Sequence, residues 1–511
     1  MNSHASCPAR RIYRTHEIRL AEQATAAPPD TPSLMERAGL AAAGLAQRLL
    51  GNGTSVLVLA GPGNNGGDAL VAARRLKAMW FRVAAVFAGD REKLPPDAAR
   101  ALQAWLEAGG ELLAEIPAGG KWDLLIDGLF GIGLARALDG RSLELVREVN
   151  RMNLPVLALD IPSGLDSDTG RPLGAAVRAA HTLTFIGLKP GLLTADGPDY
   201  CGKIHLDLLG IPPELLPEAR GRLLARDEIA AFLKPRPLNC HKGMLGSVGI
   251  LGGASGMTGA ALLAGRAALK LGAGRVYLGL LSESAPAADL QQPELMLRPP
   301  EQLLGTELSC LVAGPGLGHS EEALCWLERA LHAAPPLVLD ADALNLVAAH
   351  DNLRKLLARR KGSAVLTPHP AEAARLLGTT SADIQRDRVG AALALTARFG
   401  GPVVLKGAGS ICALPDGGWF INPTGNPGLS SAGTGDVLAG IAGALAAQGV
   451  SLEKALLLAV HLHGAAADEL VAEGTGPIGL TASEVTDKAR ELLNRWVYPE
   501  KPATNDTNEH E

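Results

Sequence analysis

Aromatic side chains make up only 3% of the sequence, too few for the stacking platforms that single-stranded nucleic-acid binders use. Positive charge is not in excess either. Lys and Arg number 48 against 53 Asp and Glu, for a formal net charge of -5, which excludes a basic field for nucleic acid or an anionic membrane surface. The 6 cysteines (Cys7, Cys201, Cys240, Cys310, Cys325 and Cys412) are scattered, with no C-x-x-C pair. A disulfide framework and a zinc site are therefore not expected, and a reduced cytoplasmic setting is. The start, MNSHASCPARRIYRTHEIRL, has arginines but no apolar stretch behind them, unlike a secretory signal. No run of about 18 apolar residues is expected to span a bilayer. The phosphate loop G-x-x-x-x-G-K-[ST] is also missing, so any phosphate must be held by other elements.

What is present points to an α/β protein of more than one domain. At 511 residues, with 47% hydrophobic and 20% charged residues and 61 glycines, the chain exceeds one ordinary core. Short apolar runs bounded by glycine alternate with helical periodicity in two series. The first runs from SVLVLAGPG through KWDLLIDG and PVLALDIPSG to GKIHLDLL; the second runs from HKGMLGSVGILGG through CLVAGPG, PLVLDADAL and GPVVLKGAG to the helix opened by GTGD. That alternation predicts two mostly parallel sheets, each covered by helices on both faces. The proline- and charge-rich stretch 211–240 holds the boundary. It gives a first domain over 1–215, a linker over 216–235, a second domain over 236–498 and a polar, disordered tail over 499–511.

In the first half, GPGNNGGDAL sets Gly61, Gly63 and Gly66 in G-x-G-x-x-G spacing between a strand and a helix. A dinucleotide site would place an acid about 20 residues further on, and only a late Asp90 is there. The glycines therefore argue for close backbone approach to a ligand at a helix N-terminus. Asn64 and Asn65 add carboxamide oxygens suited to a hard cation. Two more strand ends match: LLIDGLFGIGLAR places Asp127 before a glycine turn carrying Arg136, and LALDIPSGLDSDTG places Asp160 and Ser163. Each aspartate alone is as readily a turn or helix cap. Three such loops at strand ends of one sheet face one crevice, where open α/β sheets bind ligands.

GPGNNGGD, DGLFGIGL and DIPSGLDSDTG, followed by TFIGLKPGL and GKIHLDLLGIP, resemble the NAD(P)H-hydrate epimerase family. The resemblance implies a Rossmann-like, doubly wound domain. Such a domain interconverts the R and S hydrates formed when water adds to the nicotinamide ring of NADH or NADPH (NADHX and NADPHX). On this sequence it implies that Asn64, Asn65, Gly66, Gly67 and Asp68, with Gly131, Ile132, Gly133, Leu134, Ala135, Arg136 and Ala137, line the hydrate site. It further implies K+ on Asn65, Asp127 and Ser163, and Asp160 as hydrate contact and acid/base residue. Ala69, where the family often has glycine, and Ile132 in the G-x-G turn depart from the pattern. A carboxylate in a partly closed cleft can supply the proton transfers that moving a hydroxyl between ring faces requires.

In the second half, GTGD (433–436) offers consecutive backbone N–H groups at a helix start, a ready anion site. VVLKGAGS ends a strand in Lys406 and a glycine turn, VAGPGLG and LTPHPAE end two others, and His369 lies between two prolines, which holds it extended. Taken singly, Lys406 is as readily a surface cation and His369 a structural histidine. Together HKGMLGSVGILGG, SGMTGAALLAGRAALKLGAG, GPGLG, LVLDADALNL, LTPHPAEAARLLG, VVLKGAG and NPGLSSAGTGDVLAG resemble the NAD(P)H-hydrate dehydratase family over nearly all of 236–495. The resemblance implies a ribokinase-like α/β fold, with ADP as co-substrate and Mg2+ beside it. Ala260, Gly316, His369 and Asp436 would contact the hydrate. Lys406, Gly407, Ala408, Gly409, Ser410 and Gly435 would contact the nucleotide. Ala432 stands where a second glycine is more usual.

Asp436 in that anion site admits two readings. One is helix capping, which suits both Thr434 and Asp436, and at the positive end of the helix dipole the charged form would be favoured. The other is chemical. The amides stabilise a phosphoryl group in flight to the hydrate's hydroxyl, Asp436 takes the hydroxyl proton, and phosphate then leaves with help from the ring nitrogen. For the whole chain these motifs leave three functions open. One is a bifunctional hydrate-repair enzyme; another is a small-molecule kinase of the ribokinase or hydroxyethylthiazole type with an accessory domain. The third is a non-catalytic binding module in the first domain, against which the intact Asn65, Asp127 and Asp160 argue. Small-molecule partners and a homo-oligomer are expected; nucleic acid and membrane are not.

Overall fold

The computed structural model describes residues 8–25, 31–360 and 363–498; Cys7 and the tail expected over 499–511 lie outside the described residues. The chain divides into two compact units, Met1–Leu223 and Leu224–Glu511. The division falls inside the segment 216–235 expected as a linker, and that segment is folded. Its Leu224 and Ile229 are buried in the second unit's core, where removal of their apolar surface from water ties them down.

The strands of the first unit are β1 (Arg11–Ile12), β2 (Ser55–Ala60), β3 (Arg82–Phe87), β4 (Leu112–Leu113), β5 (Leu124–Gly128), β6 (Val156–Leu159), β7 (His181–Phe185), β8 (Lys203–Asp207) and β9 (Gly221–Leu223). Seven form a parallel sheet in the order β4-β3-β2-β5-β6-β7-β8. β1 pairs antiparallel with β9. Strands β2, β5 and β6 are buried throughout, as central parallel strands covered on both faces must be. Helices Leu34–Leu50, Asn64–Ala78 and Pro96–Glu107 pack on one face, and Gly140–Val149 packs on the other. Strand order reverses between β2 and β5, so the loops leaving their carboxyl ends diverge and open a crevice.

The helix after β2 starts at Asn64, so the NNGG motif forms its first turn instead of a loop. Close packing allows this. A Cβ on Gly66 would lie 2.0 Å from the Gly61 carbonyl oxygen, an approach open only to glycine.

In the second unit the strands are β10 (Ser247–Gly252), β11 (Arg275–Leu280), β12 (Met296–Arg298), β13 (Cys310–Ala313), β14 (Leu337–Leu339), β15 (Ala364–Leu366), β16 (Val403–Leu405), β17 (Ile411–Ala413) and β18 (Trp419–Ile421). Their order is β18-β17-β16-β15-β14-β13-β10-β11-β12. Pairing is parallel from β12 to β16 and antiparallel through the β16–β17–β18 meander. The reversal lies between β13 and β10. Helices Thr258–Lys270, Thr434–Ala447, Leu452–Ala472 and Ala482–Val497 cover one face. Thr434–Ala447 is buried along almost all of its length, as suits a helix apolar all round. By length and mean hydropathy, 1.4, helix Leu452–Ala472 could cross a membrane. His461 and His463 interrupt its apolar run without lowering its average enough. Since 72% of that window is buried, with Leu456, Ala459 and Leu462 in the core, it is an interior helix.

Gly66→Ala is expected to destabilise the first unit by roughly 1–3 kcal/mol, the usual cost of overpacking, seen as a lower denaturant midpoint. Gly63→Ala, whose Cβ would meet nothing within 4 Å, should leave the midpoint unchanged. Equal midpoints for both variants would show that the Gly61–Gly66 approach does not shape the helix start.

Candidate active sites

A cleft of about 560 Å³ opens at the first unit's strand reversal. Pro62–Asn65 after β2, Leu129–Leu134 after β5, Asp160 after β6, and Asp68 from helix Asn64–Ala78 line it. Asp160 leaves β6 with φ +63°, a left-handed conformation that costs a non-glycine residue energy and marks a constrained site. Its Oδ1 accepts from Lys189 Nζ at 2.5 Å. Lys189 is wholly buried, and the same Nζ donates to Thr184 Oγ1 and the Phe185 carbonyl, each at 2.8 Å. All three ammonium protons are thereby used, which locks the lysine against Asp160. Asp68 has no hydrogen-bond or ion-pair partner among the described residues. Burial, then the negative charges of Asp160, Glu22 and Asp97, push its carboxyl well above the usual range.

Behind the cleft, Asp127 is fully buried in β5 and accepts from Ser163 N (2.8 Å), Ser163 Oγ (2.6 Å) and Leu129 N (3.3 Å). Burial pushes its carboxyl up to about 6, against the lowering effect of the Ser163 bonds. Asn65 Nδ2 donates to the Leu159 carbonyl at 3.2 Å, while its Oδ1 is buried without a partner. A buried carbonyl oxygen left unpaired is costly unless a ligand satisfies it. An orphaned amide oxygen, a carboxylate and a hydroxyl are the oxygen donors that suit a hard cation.

In the second unit the carboxyl ends of β14, β15 and β16 converge. Asp340, after β14, is buried and accepts from Lys406 Nζ and Thr367 Oγ1, both at 2.7 Å. Burial opposes the Lys406 charge, but Asp340, Glu372 and Asp436 around it hold the ammonium above its ordinary range. His369 caps helix Pro370–Leu377: its Nδ1 accepts from Ala371 N at 3.1 Å, and its Nε2 lies 3.2 Å from Glu372 Oε1. Burial, then Lys406 and Arg375, lower the histidine's pKa. Burial raises that of Glu372 to about 7, with Lys406 opposing.

Asp436 is the third residue of helix Thr434–Ala447, whose N-cap, Gly433, has no side-chain cap bond. The capping reading is not what the structure shows. Thr434 Oγ1 instead donates to the Leu429 and Ser431 carbonyls at 2.8 and 3.0 Å, and Asp436 has no hydrogen-bond partner among the described residues. Nor is its charged form favoured overall. Burial and the nearby Asp340 raise its pKa to about 7 despite Lys406. A Cβ on Gly435 would lie 3.4 Å from Lys406 Nζ, so the GTGD amides and the Lys406–Asp340 pair share one space.

The structure brings Asn64, Asn65, Asp68, Gly131, Ile132, Gly133, Leu134 and Asp160 to the first cleft. Gly66 and Gly67 are packed inside the helix, and Ala135, Arg136 and Ala137 are exposed and outside the lining. Ala260 and Gly316 meet at the second unit's strand reversal, where a Cβ on Gly316 would lie 3.2 Å from Ala260 Cβ and Ala254 N donates to the Gly316 carbonyl at 2.7 Å. Gly407–Ser410 form a turn closed by Ser410 Oγ on the Gly407 carbonyl at 3.0 Å. Lys189, Asp340, Asp342 and Glu372 escaped the sequence reading. Asp340 and Asp342 stand in the strand-ending LVLDADAL and Lys189 in FIGLKPG, so their only signal was position after a strand. Among the described residues no group of three or more His, Cys, Asp or Glu could hold a metal.

Residues 248–490 match the NAD(P)H-hydrate dehydratase family, and residues 31–191 match the YjeF-related protein N-terminus family. A bifunctional NAD(P)H-hydrate repair enzyme of Escherichia coli is 40% identical, over 91% of this chain and 90% of its own. One from Leishmania braziliensis is 36% identical over 96% and 94%. Among solved structures, the ADP/ATP-dependent NAD(P)H-hydrate dehydratase of Bacillus subtilis, co-crystallised with ATP and Mg2+, is 30% identical over 54% of this chain and 98% of its own, with a TM-score of 0.46. With both halves matched and such identity along nearly its whole length, the chain belongs to the family of bifunctional NAD(P)H-hydrate repair enzymes.

Proposed function

We propose that the first unit interconverts the R and S hydrates of NADH and NADPH. The second unit then uses ADP to dehydrate the S hydrate, releasing NAD(P)H, AMP and phosphate. The observation that carries the second step is the unpartnered Asp436 carboxyl on the first turn of Thr434–Ala447, beside the Lys406–Asp340 pair. The GTGD amides and Lys406 hold the phosphoryl group, Asp436 takes the proton of the attacking hydroxyl, and Ala260, Gly316 and His369 seat the hydrate. The turn Gly407–Ser410 and Gly435 hold the rest of the nucleotide. Mg2+ would ride on the nucleotide phosphates, which ask for only one or two protein carboxylates. A stable phosphorylated product without release of phosphate and NAD(P)H would instead make the chain a small-molecule kinase.

In the first unit Asp160 moves the proton at the hydrate carbinol, and Asn65, Asp127 and Ser163 would hold K+. The ion would supply positive charge that orders the surrounding loop oxygens. A reducing cytoplasm and a homo-oligomeric state complete this reading, the latter open to sedimentation analysis.

Asp436→Asn preserves size and polarity but cannot accept a proton. Dehydration of the S hydrate is expected to fall by ~10²–10⁴-fold with ADP binding and melting temperature retained. Full turnover would remove Asp436 from the chemistry. In the unaltered protein the base works only when ionised, so kcat/KM for dehydration is expected to decline as pH falls through about 7. A profile flat across that window would contradict this role. For the ion, KCl should raise the melting temperature above that in equal NaCl, and Asn65→Ala should abolish the difference. Identical melting of wild type in both salts would remove the assignment.

A further inference from the structure

Inverting a carbinol centre takes two proton transfers, one for the departing oxygen and one for the arriving one. The inference rests on the epimerase reading of the first unit. Asp160 is bound at 2.5 Å to a lysine whose three protons are all used, which fixes its carboxylate in place to receive a proton. A second group is needed to donate one. Asp68 lines the same cleft from a different element, the helix after β2. It has no cation and no hydrogen-bond donor of its own among the described residues.

We infer that Asp68 is a second catalytic carboxyl of this cleft, the proton donor that works against the Lys189-paired Asp160. In the step, the C6–O bond breaks with its electron pair and the leaving hydroxyl takes the Asp68 proton, departing as water. The ring-nitrogen lone pair moves in to form N=C6. A water then adds to the other face of C6, returning that pair to nitrogen, and loses its extra proton to Asp160. Asp68 ends ionised and Asp160 protonated; the reverse passage, or exchange with solvent, restores both. Lys189 touches no reacting atom and is a positioning residue. Pairs of carboxyls in unlike surroundings divide acid and base roles in this way.

The charged groups facing Asp68 agree with the assignment. Glu22 on helix Thr15–Ala24, Asp97 at the start of helix Pro96–Glu107, and Asp160 are all negative, and with burial they favour its protonated form. Among the described residues Arg19 is the cation that lines the cleft, and the buried Lys189 is committed to Asp160. Glu22 also lines the cleft but is exposed, and its carboxyl is raised less far, by burial and then Asp160, with Lys189 and Arg19 opposing.

The test uses the full chain, with conversion of purified R hydrate to S as the readout and dehydration of S hydrate with ADP as the internal control. Asp68→Asn is expected to lower kcat for epimerisation by about 10²-fold with KM within about threefold. The decline of wild-type rate at alkaline pH, as Asp68 loses its proton, should vanish in that variant. Asp68→Glu, which keeps the acid, should recover part of the rate. An Asp68→Asn protein that epimerises at the wild-type rate, or loses only KM, overturns the inference. So does an Asp68→Glu protein as slow as Asp68→Asn, since packing alone would then explain the loss. Wild type that fails to epimerise at all refutes the epimerase reading itself, and the two failures are distinct.

Discussion

A buried lysine set against an aspartate that follows a parallel strand is the contact on which each site depends. Lys189 holds Asp160 in one unit and Lys406 holds Asp340 in the other, at 2.5 and 2.7 Å. Each pair sits where water is largely excluded, so neither charge can be left without the other. Removing one partner of a buried pair typically costs ~3–5 kcal/mol because the survivor is stranded. Each lysine thus fixes one aspartate, Asp160 or Asp340, while a second acid, Asp68 or Asp436, has no hydrogen-bond or ion-pair partner among the described residues.

The free acids are the other half of the arrangement. Asp68 lies on the second turn of its helix and Asp436 on the first turn of its own, both in partly closed surroundings, and both are pushed upward by burial first and by neighbouring acids second. Burial and like charge nearby favour a carboxyl's protonated form, which lets it take or give a proton within the site. The same fold logic thus places a lysine-bonded carboxylate and an unpartnered one within each site.

The first cleft opens where strand order reverses, β2 against β5; in the second unit the Ala260–Gly316 contact lies at the reversal of β13 against β10, while Asp340 and Lys406 meet at the ends of β14 and β16. Divergence of the loops at a reversal makes room for a ligand without breaking a backbone hydrogen bond. The NNGG turn and the GPGLG loop are glycine-rich for a related reason: backbone passes within contact distance of backbone at Gly61–Gly66 and at Met257–Gly316.

Local pattern was enough to read the alternating strands and helices, the two-sheet architecture and the loops that bear chemistry. Apolar runs bounded by glycine encode buried parallel strands, and an acid after such a run lies at the sheet's carboxyl edge whatever it later touches. Asp127 and Asp160 were therefore legible as candidates, and Asp436 from the glycine-rich GTGD helix start. Their state was not. Whether Asp436 caps its helix or faces a site, and whether its charge is favoured, depends on Asp340 and Lys406, which reach it from β14 and β16. The partner of Asp160 lies 29 residues further along the chain and that of Lys406 lies 66 residues back. Lys189, Asp340 and Glu372 carry no local signal, because a lysine or acid after a strand reads the same whether it is solvated or buried against its counter-ion. Sequence determined which groups stand at the edge; only the folded sheet, by bringing distant strand ends side by side and excluding water from them, decided which are paired and which are left to react.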